Sequence, residues 1–242
     1  MEIVPGIHRI GNDLIAVHFI VTDAGVTVVD TGLAGHYRGL RRELAAAGLS
    51  FADVRGVVLT HGDSDHTGFA ERIRAEHHVP VYVHEADIAR ARGLEKTSPA
   101  WGHWRIGPML QFLGYTMAMG GLRPKPLSEA VPVHDGDRLA LPGEPQIVAL
   151  PGHSPGSVAV YFPQLRAVFV GDALTTRDVL TAAGGPRPAP FTDEPAEAAA
   201  SLDRLLELDI ELVVPGHGAP WRGDAAELVR LYRAAAAAPS GR

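Results

Sequence analysis

Val57-Val58-Leu59-Thr60-His61-Gly62-Asp63-Ser64-Asp65-His66 decides how this chain is read. The β-branched run over 54–60 has the pattern of a short buried strand. Directly after it come His61, Asp63, Asp65 and His66, all residues able to ligate a metal. The same construction recurs further along. Ile147-Val148-Ala149-Leu150 leads into Pro151-Gly152-His153-Ser154, Val168-Phe169-Val170 into Gly171-Asp172, and Leu212-Val213-Val214 into Pro215-Gly216-His217-Gly218. Ligands gather at the carboxyl ends of strands in α/β sheets, and glycine lets the backbone turn sharply there. His61, Asp63, Asp65, His66, His153, Asp172 and His217 are therefore expected to share one pocket. Neutral imidazole and carboxylate suit zinc, iron and manganese. Seven donors exceed what one tetrahedral ion needs. Two ions about 3.5–4 Å apart, sharing a carboxylate and a hydroxide, would use them all.

Outward from these motifs, apolar runs and turn signals alternate. Strands are expected at 7–10, 14–21, 26–30, 54–60, 81–84, 146–150, 157–162, 167–170 and 211–214. Helices are expected at 36–47, 67–77, 85–92, 194–208 and 225–238, with a Pro/Gly/Ala-rich loop over about 182–192. Strands alternating with helices in both halves predict sheets whose outer faces are covered by helices. The segment 93–130 breaks the alternation. It carries Trp101, Trp104, Met109, Phe112, Tyr115, Met117 and Met119, and reads as an insertion. Such a segment serves as core or subunit contact, here a homodimer contact, or as the wall of an apolar substrate pocket.

The bulk properties exclude more than they identify. The chain has 242 residues, a formal net charge of −6 and no cysteine, so disulfides and thiolate metal sites are ruled out. No Lys/Arg cluster offers a basic face to nucleic acid. The start, MEIVPGIHRI, lacks the pattern of a signal peptide, and the apolar stretch over 106–122 is broken by Pro108 and four glycines. The expectation is a cytoplasmic protein acting on a small molecule, with neither nucleic acid nor membrane as partner.

The motif His61-Gly62-Asp63-Ser64-Asp65-His66, followed by His153, Gly171-Asp172 and His217, resembles the metallo-β-lactamase superfamily, and Asp30-Thr31-Gly32 matches that family's early motif. The resemblance covers essentially the whole chain. It implies an α/β fold, a four-layer αβ/βα sandwich in a single domain over 1–242, with a helical insertion at about 93–130. It also implies that His61, the residue at 63 and His153 hold one metal, that Asp65, His66 and His217 hold a second, and that Asp172 bridges them. The family usually has His where Asp63 stands. The extra carboxylate makes that position harder and more negative, so manganese or iron is admitted beside zinc, the first expectation. Asp63 either ligates or turns outward.

The expected chemistry is hydrolysis of an ester-like bond (a lactone, ester or thioester with an apolar portion) by a metal-bridging hydroxide, with Asp65 orienting the nucleophile and moving its proton. Ala173-Leu174-Thr175-Thr176 follows Asp172 where quorum-type lactonases carry a tyrosine. Two rival readings are a mononuclear iron enzyme resembling persulfide dioxygenases, built on His61, His153 and Asp172, and a non-catalytic metal- or ligand-binding module. Asp30 is expected either to accept hydrogen bonds from a ligand histidine or to serve only its turn. His18, Trp101, Trp104, Met109, Phe112 and Tyr115 are the candidates for the substrate pocket. The remaining histidines, His36 and His84 among them, read as structural.

Overall fold

The computed structural model describes residues 1–95 and 102–238. Among them, one sheet takes the order β1 (Glu2–Val4), β2 (Ile7–Gly11), β3 (Ala16–Thr22), β4 (Gly25–Val29), β5 (Val54–Val58), β6 (Val81–His84) and β7 (Val131–Val133). It is antiparallel from β1 to β4 and parallel from β4 to β7. The chain then builds β8 (Gln146–Ala149), β9 (Val158–Phe162), β10 (Ala167–Gly171), a ribbon of β11 (Thr175–Arg177) with β12 (Gly184–Arg187), β13 (Leu212–Pro215) and β14 (Trp221–Arg222). The second sheet has the order β14-β13-β10-β9-β8.

Alternation along each strand sorts side chains between two layers of core, because successive residues point to opposite faces. Ile20, Val29 and Val58 meet Val160, Phe162, Phe169 and Val214 between the sheets. Val17, Phe19, Val28 and Val57 face the other way, against Leu40 and Leu44 of α1 (His36–Ala46) and Ile73 of α2 (Ala70–His77). On the far side, Val148, Ala159, Val168 and Val213 pack on Leu228, Val229 and Tyr232 of the C-terminal helix over Ala225–Ala237. Helix, sheet, sheet, helix is the four-layer αβ/βα sandwich. Strands buried on both faces explain why these runs read as continuously apolar.

Several elements differ from the sequence expectation, among them the short strands β1, β7, β11 and β14. The helix expected over 85–92 is a 3₁₀ turn over Glu85–Asp87 followed by a helix over Ile88–Ala91. Two further differences have a visible local reason. The helix expected from 67 begins at 70, because the His66 carbonyl is taken by Thr31 N at 2.7 Å and Thr31 Oγ1 at 2.8 Å. The helix expected over 194–208 divides. After α3 (Ile88–Ala91) and α4 (Ile106–Ala118), α5 covers Pro195–Ser201 and gives way to a 3₁₀ turn over Leu202–Glu207. There Ser201 Oγ donates back to the Ala198 carbonyl, and the three-residue period places Leu202 and Leu205 on one buried side. The loop expected over 182–192 contributes β12. The terminal helix over Ala225–Ala237 is α6.

The insertion is reduced, where it is described, to α4 and its flanks; Trp101 lies outside the described residues. α4 is tied down at both ends. Arg105 N donates to the Leu180 carbonyl at 2.9 Å, and Gly35 N to the Met119 carbonyl at 2.9 Å. Phe112 and Tyr115 turn inward, half-buried, while Trp104, Ile106, Leu110 and Met117 are exposed. Among the described residues no helix is long and apolar enough to cross a membrane.

Phe169 is the test of the inter-sheet layer. It is buried, with Phe162 at 5.5 Å and His18 at 5.4 Å between ring centroids. Phe169→Ala is expected to cost about 3–5 kcal/mol in urea unfolding. A loss below about 1 kcal/mol would mean that the two sheets do not share this core.

Candidate metal centre

Five strand ends meet at one edge of the sandwich. Asp30 follows β4, His61 lies just beyond β5, His153 beyond β8, Asp172 follows β10 and His217 lies beyond β13. Gly171 turns at φ +52°, and a Cβ there would strike Thr60 Oγ1 at 2.2 Å. At Gly216 a Cβ would come within 2.5 Å of His66 and 2.9 Å of Asp172 Oδ1. Glycine at these two positions lets the donors close together.

The seven donors form overlapping sets. His61, Asp63 and His153 bring one ligand atom each to within 4.8 Å of one another, as do Asp65, His66 and His217, and His61, His66 and Asp172. Asp172 lies between: Oδ1 is 3.4 Å from His66 Nε2, and Oδ2 is 3.1 Å from His217 Nε2 and 3.8 Å from His153 Nε2. Asp65 Oδ2 faces His217 Nε2 at 3.5 Å. Asp63 is turned into the pocket, with Oδ2 3.4 Å from His153 Nε2 and 3.7 Å from His61 Nε2.

Hydrogen bonds on the far ring nitrogens decide what the near ones can do. His66 Nδ1 donates to Asp30 Oδ2 at 2.8 Å, and His217 Nδ1 donates to the Leu14 carbonyl. His153 Nδ1 faces Thr192 Oγ1 at 3.1 Å, a hydroxyl whose own proton goes to the Ala189 carbonyl at 2.9 Å. His61 Nδ1 faces Thr60 Oγ1 at 3.1 Å, and that hydroxyl donates to Asp30. Every partner is an acceptor, so each imidazole keeps its proton on Nδ1 and presents a lone pair at Nε2. His36 has the opposite arrangement. Its Nδ1 accepts from Leu33 N at 2.9 Å and its Nε2 meets Tyr115 Oη at 2.9 Å, so it pins α4 to α1.

These residues fit a metal. Among the described residues, Nε2 of His61, His66 and His153 and Oδ1 of Asp172 are buried without a hydrogen-bond partner, a costly arrangement unless a cation takes their lone pairs. The electrostatics agree. Burial, then the charges of His66 and His153, hold His61 well below the ordinary histidine range. Burial opposes the charged forms of His66 and His217, yet Asp30 and Asp172 raise His66 well above that range, and Asp172 raises His217. Asp172 is held well below the carboxylate range because His217 and His66 outweigh its burial. The cluster demands positive charge at its middle, which protons or metal ions supply.

The residues singled out for a substrate pocket separate. The Phe112 ring stands 6.4 Å from that of His217, with Met109 half-buried on the same helix. Tyr115 is held by His36. Trp104 is half exposed. His18 is buried on β3 between the sheets, where burial, then the charges of Arg9 and His66, push it down to about 3 and leave it neutral.

Several supporting residues escape sequence reasoning. Thr60 could have been suspected from its place beside His61, but Asp87, Arg90 and Thr192 stand outside every motif. Asp87 is fully buried and accepts from Gly62 N, Gly156 N and Ser154 Oγ, each at 2.7 Å. One carboxylate thus joins the loop of His61 to the loop of His153.

The family model of the metallo-β-lactamase superfamily matches residues 10–217. The chain is 28% identical over 234 residues to the "Probable metallo-hydrolase YflN" of Bacillus subtilis, covering 92% of this chain and 87% of that one. It is 33% identical over 176 residues to a hydroxyacylglutathione hydrolase of Fuscovulum blasticum, covering 72% and 51% respectively. Among solved structures, TTHA1623 in a di-iron-bound form superposes with a TM-score of 0.64 at 27% identity, over 93% of this chain and 97% of that one.

Asp87 supplies a test that touches no donor atom. Asp87→Ala leaves the buried Gly62 and Gly156 N–H groups unpaired, while Ser154 Oγ keeps Ser157 Oγ at 2.8 Å. It is expected to cost roughly 2–4 kcal/mol in chemical denaturation, and to weaken metal binding in equilibrium dialysis. Unchanged metal affinity would mean that the two loops hold their positions without it.

Proposed function

This chain belongs to the metallo-β-lactamase superfamily, and from that premise we propose that it hydrolyses a lactone, ester or thioester with an apolar portion, using two divalent metal ions. The observation that carries the reading is the convergence of four Nε2 lone pairs with three carboxylates in overlapping sets. His61, Asp63 and His153 would hold one ion, Asp65, His66 and His217 the other, and Asp172 would reach both. Divalent ions bound there supply Lewis acidity toward a carbonyl and lower the pKa of a coordinated water toward ~7. Seven donors favour two ions over the three-ligand face of a mononuclear oxygenase.

The chain's own residues do the rest. Asp65 is the most exposed of these carboxylates, at 23% against 11% for Asp63 and 8% for Asp172. It is the one that meets incoming water, and it takes the proton at the oxygen turned away from His217. Asp30 and Thr60 fix the imidazoles that must not rotate. Phe112, beside His217, gives the substrate an apolar wall and excludes water from one side. The relative named hydroxyacylglutathione hydrolase supports the thioester branch. Zinc is the first reading for the metal. The carboxylate at Asp63 and the di-iron relative support iron as the second.

The test is turnover by the protein as purified, across aryl esters, lactones and acyl thioesters, with and without chelator. Activity on at least one class, lost on chelation and restored by added metal, is expected. Full metal content with no turnover on any class would leave a metal-binding module instead. In an active protein, Phe112→Ala should raise KM for longer acyl chains about tenfold and leave kcat within about threefold. A selective loss of kcat would remove Phe112 from the pocket wall.

A further inference from the structure

Asp63 stands where the family usually has histidine, and a second unusual residue lies beside it. Arg90 on α3 is 8% exposed, and a buried guanidinium is costly unless it is paired. Its Nη1 meets Asp63 Oδ1 at 3.4 Å, while its Nη2 donates to Asp193 Oδ2. Asp87 is near, but its carboxylate is already engaged by Gly62 N, Gly156 N and Ser154 Oγ. The two oxygens of Asp63 are therefore divided. Oδ2 faces His61 and His153, and Oδ1 faces the arginine.

We propose that Arg90 is a charge partner and the positioning residue of Asp63, so that one oxygen is presented to the centre with its negative charge partly offset by a cation shared with Asp193. The inference rests on the metal-centre reading given above. An unpaired Asp63 would add a full negative charge beside Asp30, Asp65 and Asp172. Arg90, which Asp63 shares with Asp193, offsets part of that charge. The planar fork of the guanidinium also sets which oxygen is presented, which a lysine ammonium cannot do.

The same side chain reaches the neighbouring donor. Asp193 N donates to the His153 carbonyl at 3.1 Å, and Thr192, one residue earlier, accepts from His153 Nδ1 at 3.1 Å. Arg90 therefore ties the loop carrying Asp63 to the segment that orients His153, two members of one donor set. Arginine at 90 and aspartate at 63 form a single device. With histidine at 63, the guanidinium would keep only Asp193 and its Nη1 would lose its carboxylate beside the centre.

The experiment is a double-mutant cycle read by metal affinity, with Zn²⁺ and Mn²⁺ each titrated into chelator-stripped protein. Variants are Asp63→His, Arg90→Met and the two combined, each first checked for folding by thermal unfolding. Each single substitution is expected to weaken the looser metal equivalent at least tenfold, and the double variant to return within threefold of wild type. A merely structural Arg90–Asp193 bridge would make the Arg90→Met loss the same whatever stands at 63. Independent losses, with the double variant as weak as the two singles multiplied, would overturn the inference while leaving the metal centre intact. A wild-type protein that takes up neither metal would overturn both. If Arg90→Met does not fold, Arg90→Gln completes the same cycle with the same criteria.

Discussion

Everything at the strand ends depends on where four protons sit. A histidine offers a lone pair at one nitrogen only if its proton is held at the other. Here the holding groups are Asp30, the Thr60 and Thr192 hydroxyls and the Leu14 carbonyl, all acceptors toward the ring they meet. Asp30 does the most. Its backbone lies in the left-handed region at φ 59°, a conformation aspartate tolerates better than most residues. From there it accepts from Thr60 N at 2.8 Å, Thr60 Oγ1 and His66 Nδ1. One carboxylate orients His66 directly and His61 through Thr60.

The sandwich exists to hold these ends in register. Phe169 and its neighbours glue sheet to sheet, and parallel pairing of β4 with β5 and of β10 with β13 brings strand ends to the same level. Gly171 and Gly216 then let the loops touch. Burial in this rigid frame makes unpaired Nε2 atoms expensive, and the same expense becomes binding free energy when a cation arrives.

Much of this is legible in the letters because each donor sits at a junction between an apolar run and a glycine or a short polar turn. The order of His61, Asp63, Asp65, His66, His153, Asp172 and His217 along the chain marks the family, whose model spans residues 10–217. The supporting groups are not legible in that way. Asp87 and Thr192 act through hydrogen bonds across 25 and 39 residues of chain, to Gly62 and His153 respectively. Periodicity reports which face a residue occupies, and it is silent on which loop lies opposite. Asp63 shows the same limit. Its letter announces an extra charge, and only the fold reveals Arg90 beside it. The split of the helix after Ser201 is likewise a matter of one hydroxyl bonding backward.

The most direct test of the account is anomalous X-ray diffraction from crystals of the protein grown with a divalent metal. Two peaks about 3.5–4 Å apart are predicted, one bonded to His61, Asp63 and His153, the other to Asp65, His66 and His217, with Asp172 reaching both. A lone peak, or ions seated away from the four Nε2 atoms, would contradict it.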